Sequence, residues 1–229
     1  MEHIDAIAML QDPVRRRLYE YVATQGREVG RNEAAEAAGV ARTLAAHHLD
    51  RLTEAGLLES GSRRLTERSG PGAGRPAKVY TRVRVERSVS LPARDYRTAA
   101  DLLAEAAEAA GLDAGLRAAA RSRGEALRGS TEPCADLADA MEVLAARGYE
   151  PHLEDTEGAE AAAGSAAPVV RMRNCPFHAV AERFPPLVCG MNLALLEGLF
   201  GTDGAVRARM DARPGRCCVV IENSKNNDG

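Results

Sequence analysis

The stretch that most restricts this chain is residues 31–59, RNEAAEAAGVARTLAAHHLDRLTEAGLLE. It holds two short helical patterns, one stopped at Gly39 and one at Gly56, and the first glycine predicts a tight turn between them. Two short helices joined in this way make a helix-turn-helix. In the second helix Leu44, Leu49 and Leu52 fall on one face, beside Ala45 and His48. Arg42, Thr43, Ala46, His47 and Arg51 are left on or near the opposite face, as a helix lying in a major groove requires. A longer helix precedes the pair. In DPVRRRLYEYVATQG, Asp12 is the N-cap, Pro13 the first helical residue and Gly26 the stop, with Val14, Leu18, Tyr21 and Val22 as the apolar stripe.

The next segment points the same way. LLESGSRRL and AKVYTRVRV are strand-like, and TERSGPGAGRP between them is a Gly/Pro-rich tip. The pattern predicts a two-stranded hairpin, or wing, with Pro76 at the tip or the start of a strand because it lacks an N–H. Residues 61–87 carry eight basic side chains against Glu67 and Glu86. The net charge of −3 therefore hides an asymmetry: 15 Lys and Arg against 12 Asp and Glu in 1–90, then 15 against 21 in 91–229. A basic wing beside a helix-turn-helix predicts double-stranded DNA as partner. Arg42, Thr43, His47 and Arg51 are the expected base-reading or base-flanking residues, and Arg63, Arg64, Arg75 and Lys78 the expected phosphate contacts.

The 229 residues, 45% of them apolar, are enough for one or two cores, built from Leu, Val and Ala because aromatics make up only 3%. MEHIDAIAML has neither the basic start nor the apolar run of a signal peptide, and no window is apolar enough to span a bilayer. The expectation is a cytoplasmic protein with no membrane contact. The fold class expected is α+β: a winged helix-turn-helix over 1–88, helices for linking or dimerisation over 89–130, and a small α+β sensor domain over 131–229. In the helices, Tyr96, Ala99, Leu102, Leu103 and Ala106 form a stripe that suits either a homodimer seam or an intrachain bundle. The last unit reads strand, thiol loop, helix PPLVCGMNLALLEGLFG, and two strands around the turn RPGR.

Its cysteines raise a separate question. Cys175 sits at a strand-to-helix junction, where helix amides favour a thiolate. His178 is one helical turn further on, and Cys189 is early in the next helix. Cys217 and Cys218 are adjacent on an expected strand, so their side chains should point to opposite faces. Cys217, in phase with Val219 and Ile221, is the better candidate of the two. Three thiolates and a histidine suit a [4Fe–4S] cluster with one unusual donor, or a Cys₃His zinc site. The spacings match no zinc ribbon or knuckle, and from spacing alone buried filler is the simpler account. Cys134 opens a helix outside this set and reads as structural.

GVARTLAAHHLDRLTEAGLLE followed by GRPAKVY resembles the ArsR-like winged-helix regulators, in particular the branch of iron–sulfur-sensing repressors of Suf operons. The likeness runs over about residues 10–85 and more loosely over 165–222. It implies a homodimeric bacterial transcription factor with an effector-sensing C-terminal domain, and a cluster held by C-terminal cysteines to which Cys175, Cys189 and Cys217-Cys218 correspond in spacing. The four-cysteine form of that branch has a further thiol before the last position; here Asp203 lies in that gap and no cysteine does. The resemblance moves the reading of the thiols from filler to ligands, with the cluster as first choice and zinc as second.

Nothing in the chain reads as catalytic. There is no Walker loop, GxSxG, HExxH or GxGxxG after a strand, and His47 and His48 lie about 100° apart on a helix and cannot clasp one ion. The expected function is a sequence-specific transcriptional regulator, a repressor by the resemblance, controlled by its thiol site. A regulator that senses a small organic effector or a protein partner, with structural cysteines, is the alternative.

Overall fold

Asp12 starts the first long helix by accepting hydrogen bonds from the Val14 and Arg15 N–H groups, each 2.9 Å long, and Gly26 ends it with φ at 63°. These are the cap, and the left-handed stop, that the sequence predicts. The computed structural model describes residues 2–63, 76–130, 132–154, 168–213 and 216–224. They belong to two compact units, residues 1–94 and 95–229.

Unit 1 runs α1 (Glu2–Ala8), α2 (Pro13–Gln25), β1 (Val29–Gly30), α3 (Arg31–Ala38), α4 (Arg42–Glu54), β2 (Leu58–Arg63) and β3 (Ala77–Arg82). Gly39 ends α3 in the left-handed region, and the Gly39 and Val40 N–H groups bond back to the Glu36 and Ala35 carbonyls, turning the chain into α4. β2 and β3 pair antiparallel, with Leu58 opposite Arg82 and Arg63 opposite Ala77. β1 adds to the other edge of β3, Val29 facing Tyr80, so the sheet order is β1-β3-β2. The sequence pattern contains the hairpin but not β1, and it runs the second arm on to Val85, where β3 stops at Arg82. The core is Leu18, Val22, Val29, Ala34, Ala45, Leu49, Leu52, Leu58 and Tyr80. Burying each large member stabilises the unit by about 1.5–3 kcal/mol.

Unit 2 contains α5 (Tyr96–Ala109), α6 (Asp113–Arg128), α7 (Leu137–Ala145), β4 (Pro151–Glu154), β5 (Val169–Met172), α8 (His178–Ala181), α9 (Pro185–Phe200), β6 (Val206–Met210) and β7 (Val219–Asn223). The strands form an antiparallel sheet in the order β4-β5-β7-β6. One face, carrying Val170, Met172, Val206, Val219 and Ile221, packs with Leu144 of α7 and Leu196 and Phe200 of α9. Unit 2 is thus α+β. None of its described helices, nor those of unit 1, is long and apolar enough to cross a membrane.

The two helices after the linker behave differently. α6 lies against α9 within the chain, at a backbone approach that only glycine permits: a Cβ at Gly124 would run into the Leu195 carbonyl oxygen, and one at Gly198 into that of Arg121. α5 turns Ala104 and Ala107 inward, against Phe184, Leu187 and Val188. Its long apolar side chains face out, with Tyr96 74%, Leu102 61% and Leu103 72% exposed. The stripe legible in the sequence is therefore the uncovered side of α5, and alanines make its intrachain contact.

Candidate functional site

α4 presents two chemically distinct faces. Ala45, His48, Leu49 and Leu52 are buried, while Arg42, Thr43, Leu44, His47 and Arg51 are exposed. Leu44 departs from the sequence expectation: it is 41% exposed, because at i+3 and i+7 it shares its side with His47 and Arg51 and not with Leu49. His48 is buried, its Nδ1 accepting from Arg15 Nε at 3.4 Å, and burial lowers its pKa, so the ring is neutral. The His47 ring stands edge-on to it, with centroids 5.5 Å apart. Arg51 bonds to Glu54 at 2.8 Å on the exposed side.

The predicted phosphate contacts divide. Arg63 is 63% exposed and lies 3.7 Å from Glu28. Arg64 and Arg75 fall outside the described residues. Lys78 is engaged: its Nζ donates to Asp50 Oδ1 at 2.8 Å. The same oxygen accepts from the buried Tyr80 hydroxyl at 2.7 Å, and Arg31 Nε donates to that hydroxyl at 2.9 Å. Burial works against the Asp50 charge, but the Lys78 and Tyr80 hydrogen bonds hold its carboxyl below the usual carboxylate range. Burial, then the bond to Asp50, pushes the Tyr80 phenol up to about 12. This node fastens α4 to β3 and to the start of α3. Asp50, Tyr80 and Arg31 were not legible as site residues; the one hint is an acid in the middle of an otherwise basic helix face.

In unit 2 the thiols meet. The Cys189 and Cys218 sulfurs are 2.9 Å apart, and Cys175 packs against the same cluster that buries Cys217, each thiol influencing the other. All are free thiols, with Cys217 buried and the others partly so. Cys218 joins because the strand expectation fails locally: β7 begins only at Val219, so the vicinal pair sits on a bend and side-chain alternation does not apply to it. His178 does not join. Its Nε2 lies 3.2 Å from Glu182 Oε1 and its side chain is 68% exposed, since α8 is a four-residue helix that turns it to the outside. Cys134 stands apart, near Asp139 and Arg147.

Around the thiols lies a polar support that the sequence did not reveal. Asn192, 2% exposed, has its Nδ2 3.9 Å from Cys217 Sγ and accepts from the Tyr149 hydroxyl at 2.5 Å. A lone Asn one turn beyond Cys189 in an apolar helix is the signal that could have found it. Arg171 is fully buried and forks between Glu154, at 2.6 Å, and Asp211. Glu154 also holds Arg213 and Arg216, so the connection from β6 to Cys217 is tied to β4 and β5.

Electrostatics distinguish the thiols. The Cys175 thiol, then the Val219 and Cys218 amides and the Arg171 charge, hold Cys217 down to about 7 against its burial. Cys217, then burial, pushes Cys175 up, which reverses the expectation of a helix-stabilised thiolate there. Burial, then Cys218, raises Cys189 to about 12. As they stand, the sulfurs form two pairs, and among the described residues no three His, Cys, Asp or Glu side chains converge as a ready cage for one ion. A single zinc would need its thiolates about 2.3 Å from one point. A cluster is larger and binds its thiolates at separate iron atoms. The all-sulfur donor set is the kind a cluster takes, and either group would require Cys189 and Cys218 to separate from their 2.9 Å contact.

No curated protein and no solved structure matches the chain. A family model described as a helix-turn-helix domain matches residues 10–61, from the approach to α2 into β2. Match and geometry agree that this span is a helix-turn-helix domain, the module with which transcription regulators grip DNA.

Proposed function

We propose that the protein is a homodimeric winged-helix transcription regulator, a repressor, in which a [4Fe–4S] cluster on Cys175, Cys189, Cys217 and Cys218 controls DNA binding. The observation that supports the sensing role most is the gathering of these four thiols, from two loops and a helix, around one partly buried patch. The repressor role and the cluster's identity draw on the resemblance to the Suf-operon repressors. On DNA, α4 enters the major groove, where Arg42, Thr43, His47 and Arg51 face base edges and Leu44 is placed to meet a thymine methyl. Arg63, Arg64 and Arg75 hold phosphates along the wing, and Lys78 joins them only by leaving Asp50.

A bound cluster supplies an oxidation-sensitive tie between segments. The chain does the rest: Cys217 and Cys218 anchor the β6–β7 connection, Cys175 the loop after β5, and Cys189 the start of α9. Two copies are required because the operator half-sites lie about 34 Å apart, and the outward stripe of α5 offers the apolar surface for the pairing. Purification without oxygen tests the proposal directly. Brown protein with iron and sulfide, whose selection of duplexes from a random pool changes after chelation, supports it. Colourless protein with stoichiometric zinc overturns the cluster, and protein with no metal whose DNA binding ignores chelators overturns the sensing role.

A further inference from the structure

The pairing of the thiols carries a second chemistry. Cys189 and Cys218 are in sulfur–sulfur contact at 2.9 Å. Cys175 and Cys217 are neighbours in the apolar cluster that packs beside them. Each pair combines residues distant in sequence, a helix residue with a bend residue in one and a loop residue with its neighbour on the same bend in the other. From this geometry we propose that unit 2 is a hydroperoxide-reactive double-dithiol site, which forms the disulfides Cys189–Cys218 and Cys175–Cys217 when no metal group fills it. The proposal goes beyond the cluster reading and does not depend on it.

The chemistry balances with a hydroperoxide as the oxidant. The thiolate of one partner attacks the peroxide, the O–O bond breaks, and the leaving oxygen departs as water or an alcohol after taking a proton. Sulfur is left as a sulfenic acid, oxidised by two electrons as the peroxide is reduced. The second thiolate of the pair attacks that sulfur, the S–S bond forms, and the S–O bond breaks. The expelled hydroxide takes the proton released by the second thiol and leaves as water. Two thiols and one hydroperoxide thus give one disulfide, one water and one alcohol, or two waters from hydrogen peroxide.

Proximity decides which disulfides form. The obvious competitor, Cys217 with Cys218, is disfavoured: adjacent Cα atoms are about 3.8 Å apart across a trans peptide, short of the roughly 4.4–6.8 Å that unstrained disulfides span. Oxidant has access, because Cys175, Cys189 and Cys218 are each partly exposed and only Cys217 is buried, so every pair has an accessible member. Cys134 has no such partner among the described thiols and stays reduced. The same sulfurs cannot be disulfide and metal ligand at once, so a bound group would protect the site, and its loss would expose it.

The test uses the reduced, chelator-treated full chain, titrated anaerobically with hydrogen peroxide, alkylated and mapped by mass spectrometry without reduction. The expected result is uptake of two peroxides per chain, loss of four of the five thiols, and alkylation at Cys134 alone. Because Cys217 and Cys218 share a tryptic peptide, two variants assign the bonds. Cys218→Ser must still link Cys175 to Cys217 and leave Cys189 free; Cys217→Ser must still link Cys189 to Cys218 and leave Cys175 free. The converse links in those variants, a vicinal Cys217–Cys218 bond, or sulfinic acids without any cross-link would each overturn the proposal.

Discussion

Asp50 gives the sharpest test of how unit 1 positions its reading helix, because two effects of its removal have opposite signs. Replacing it with Ala deletes the acceptor of the fully buried Tyr80 hydroxyl. A hydrogen bond to a charged group is worth about 1.5–3 kcal/mol. The Lys78 and Arg31 ion pairs add less, since all three side chains are 30–40% exposed and such pairs contribute about 0.2–1 kcal/mol each. The expected loss of unit 1 stability is therefore about 2–5 kcal/mol, and Asp50→Asn, which keeps an acceptor, should lose roughly half of that. DNA binding should move the other way. One negative charge leaves the groove-facing side and Lys78 is freed for a phosphate, so affinity for random duplex should rise. The slope of log affinity against log salt should steepen by about 0.9 for each additional phosphate neutralised. Hydrogen exchange of α2 and α4 amides reads the stability, and fluorescence anisotropy across a salt series reads the slope. An Asp50→Asn protein with weaker non-specific binding and an unchanged salt slope would show that Lys78 is not held in reserve by Asp50.

The same geometry sets three other outcomes. Burial, then the nearby Arg15 and His47, lowers the His48 pKa, with Asp12 opposing. The unfolded chain therefore binds that proton more readily, so unit 1 stability is fully present above pH about 6.5 and falls as pH drops below it; His48→Gln should flatten this dependence in pH-stepped urea melts, and an unchanged curve refutes the assignment. Leu103→Glu, in the exposed stripe of α5, should give monomers by sedimentation and weaken operator binding roughly 100-fold by loss of the second half-site; a variant that stays dimeric moves the seam elsewhere. Cys218→Ser should reduce the iron content of anaerobically purified protein while His178→Ala leaves it unchanged, and the reverse pattern restores the histidine as ligand.

Legibility tracks the range of the forces involved. The caps at Asp12, Gly26 and Gly39 are local, and so the helix-turn-helix can be read from a few adjacent residues. β1 has two residues and exists only because β3 offers an edge. Leu44 borders the apolar face of its helix, and only packing decides on which side a border residue falls. Alternation counts against Cys218 only if the strand reaches it, and the strand starts one residue later. Arg171 lies in an apolar run, APVVRMRN, and its burial depends on Glu154 and Asp211, 17 and 40 residues away. No local pattern announces partners that distant.

The crossing of α6 and α9 has a genetic consequence. At Gly124 and Gly198 the main chains meet with no side chain between them, so each codon encodes the absence of an atom. Every missense change at either position adds a Cβ that meets backbone, which cannot rotate away as a side-chain tip can. These two sites therefore accept no side chain while the helices keep this approach. A lineage that lost either glycine would have to move the two helices apart, and α9 is the helix that carries Cys189.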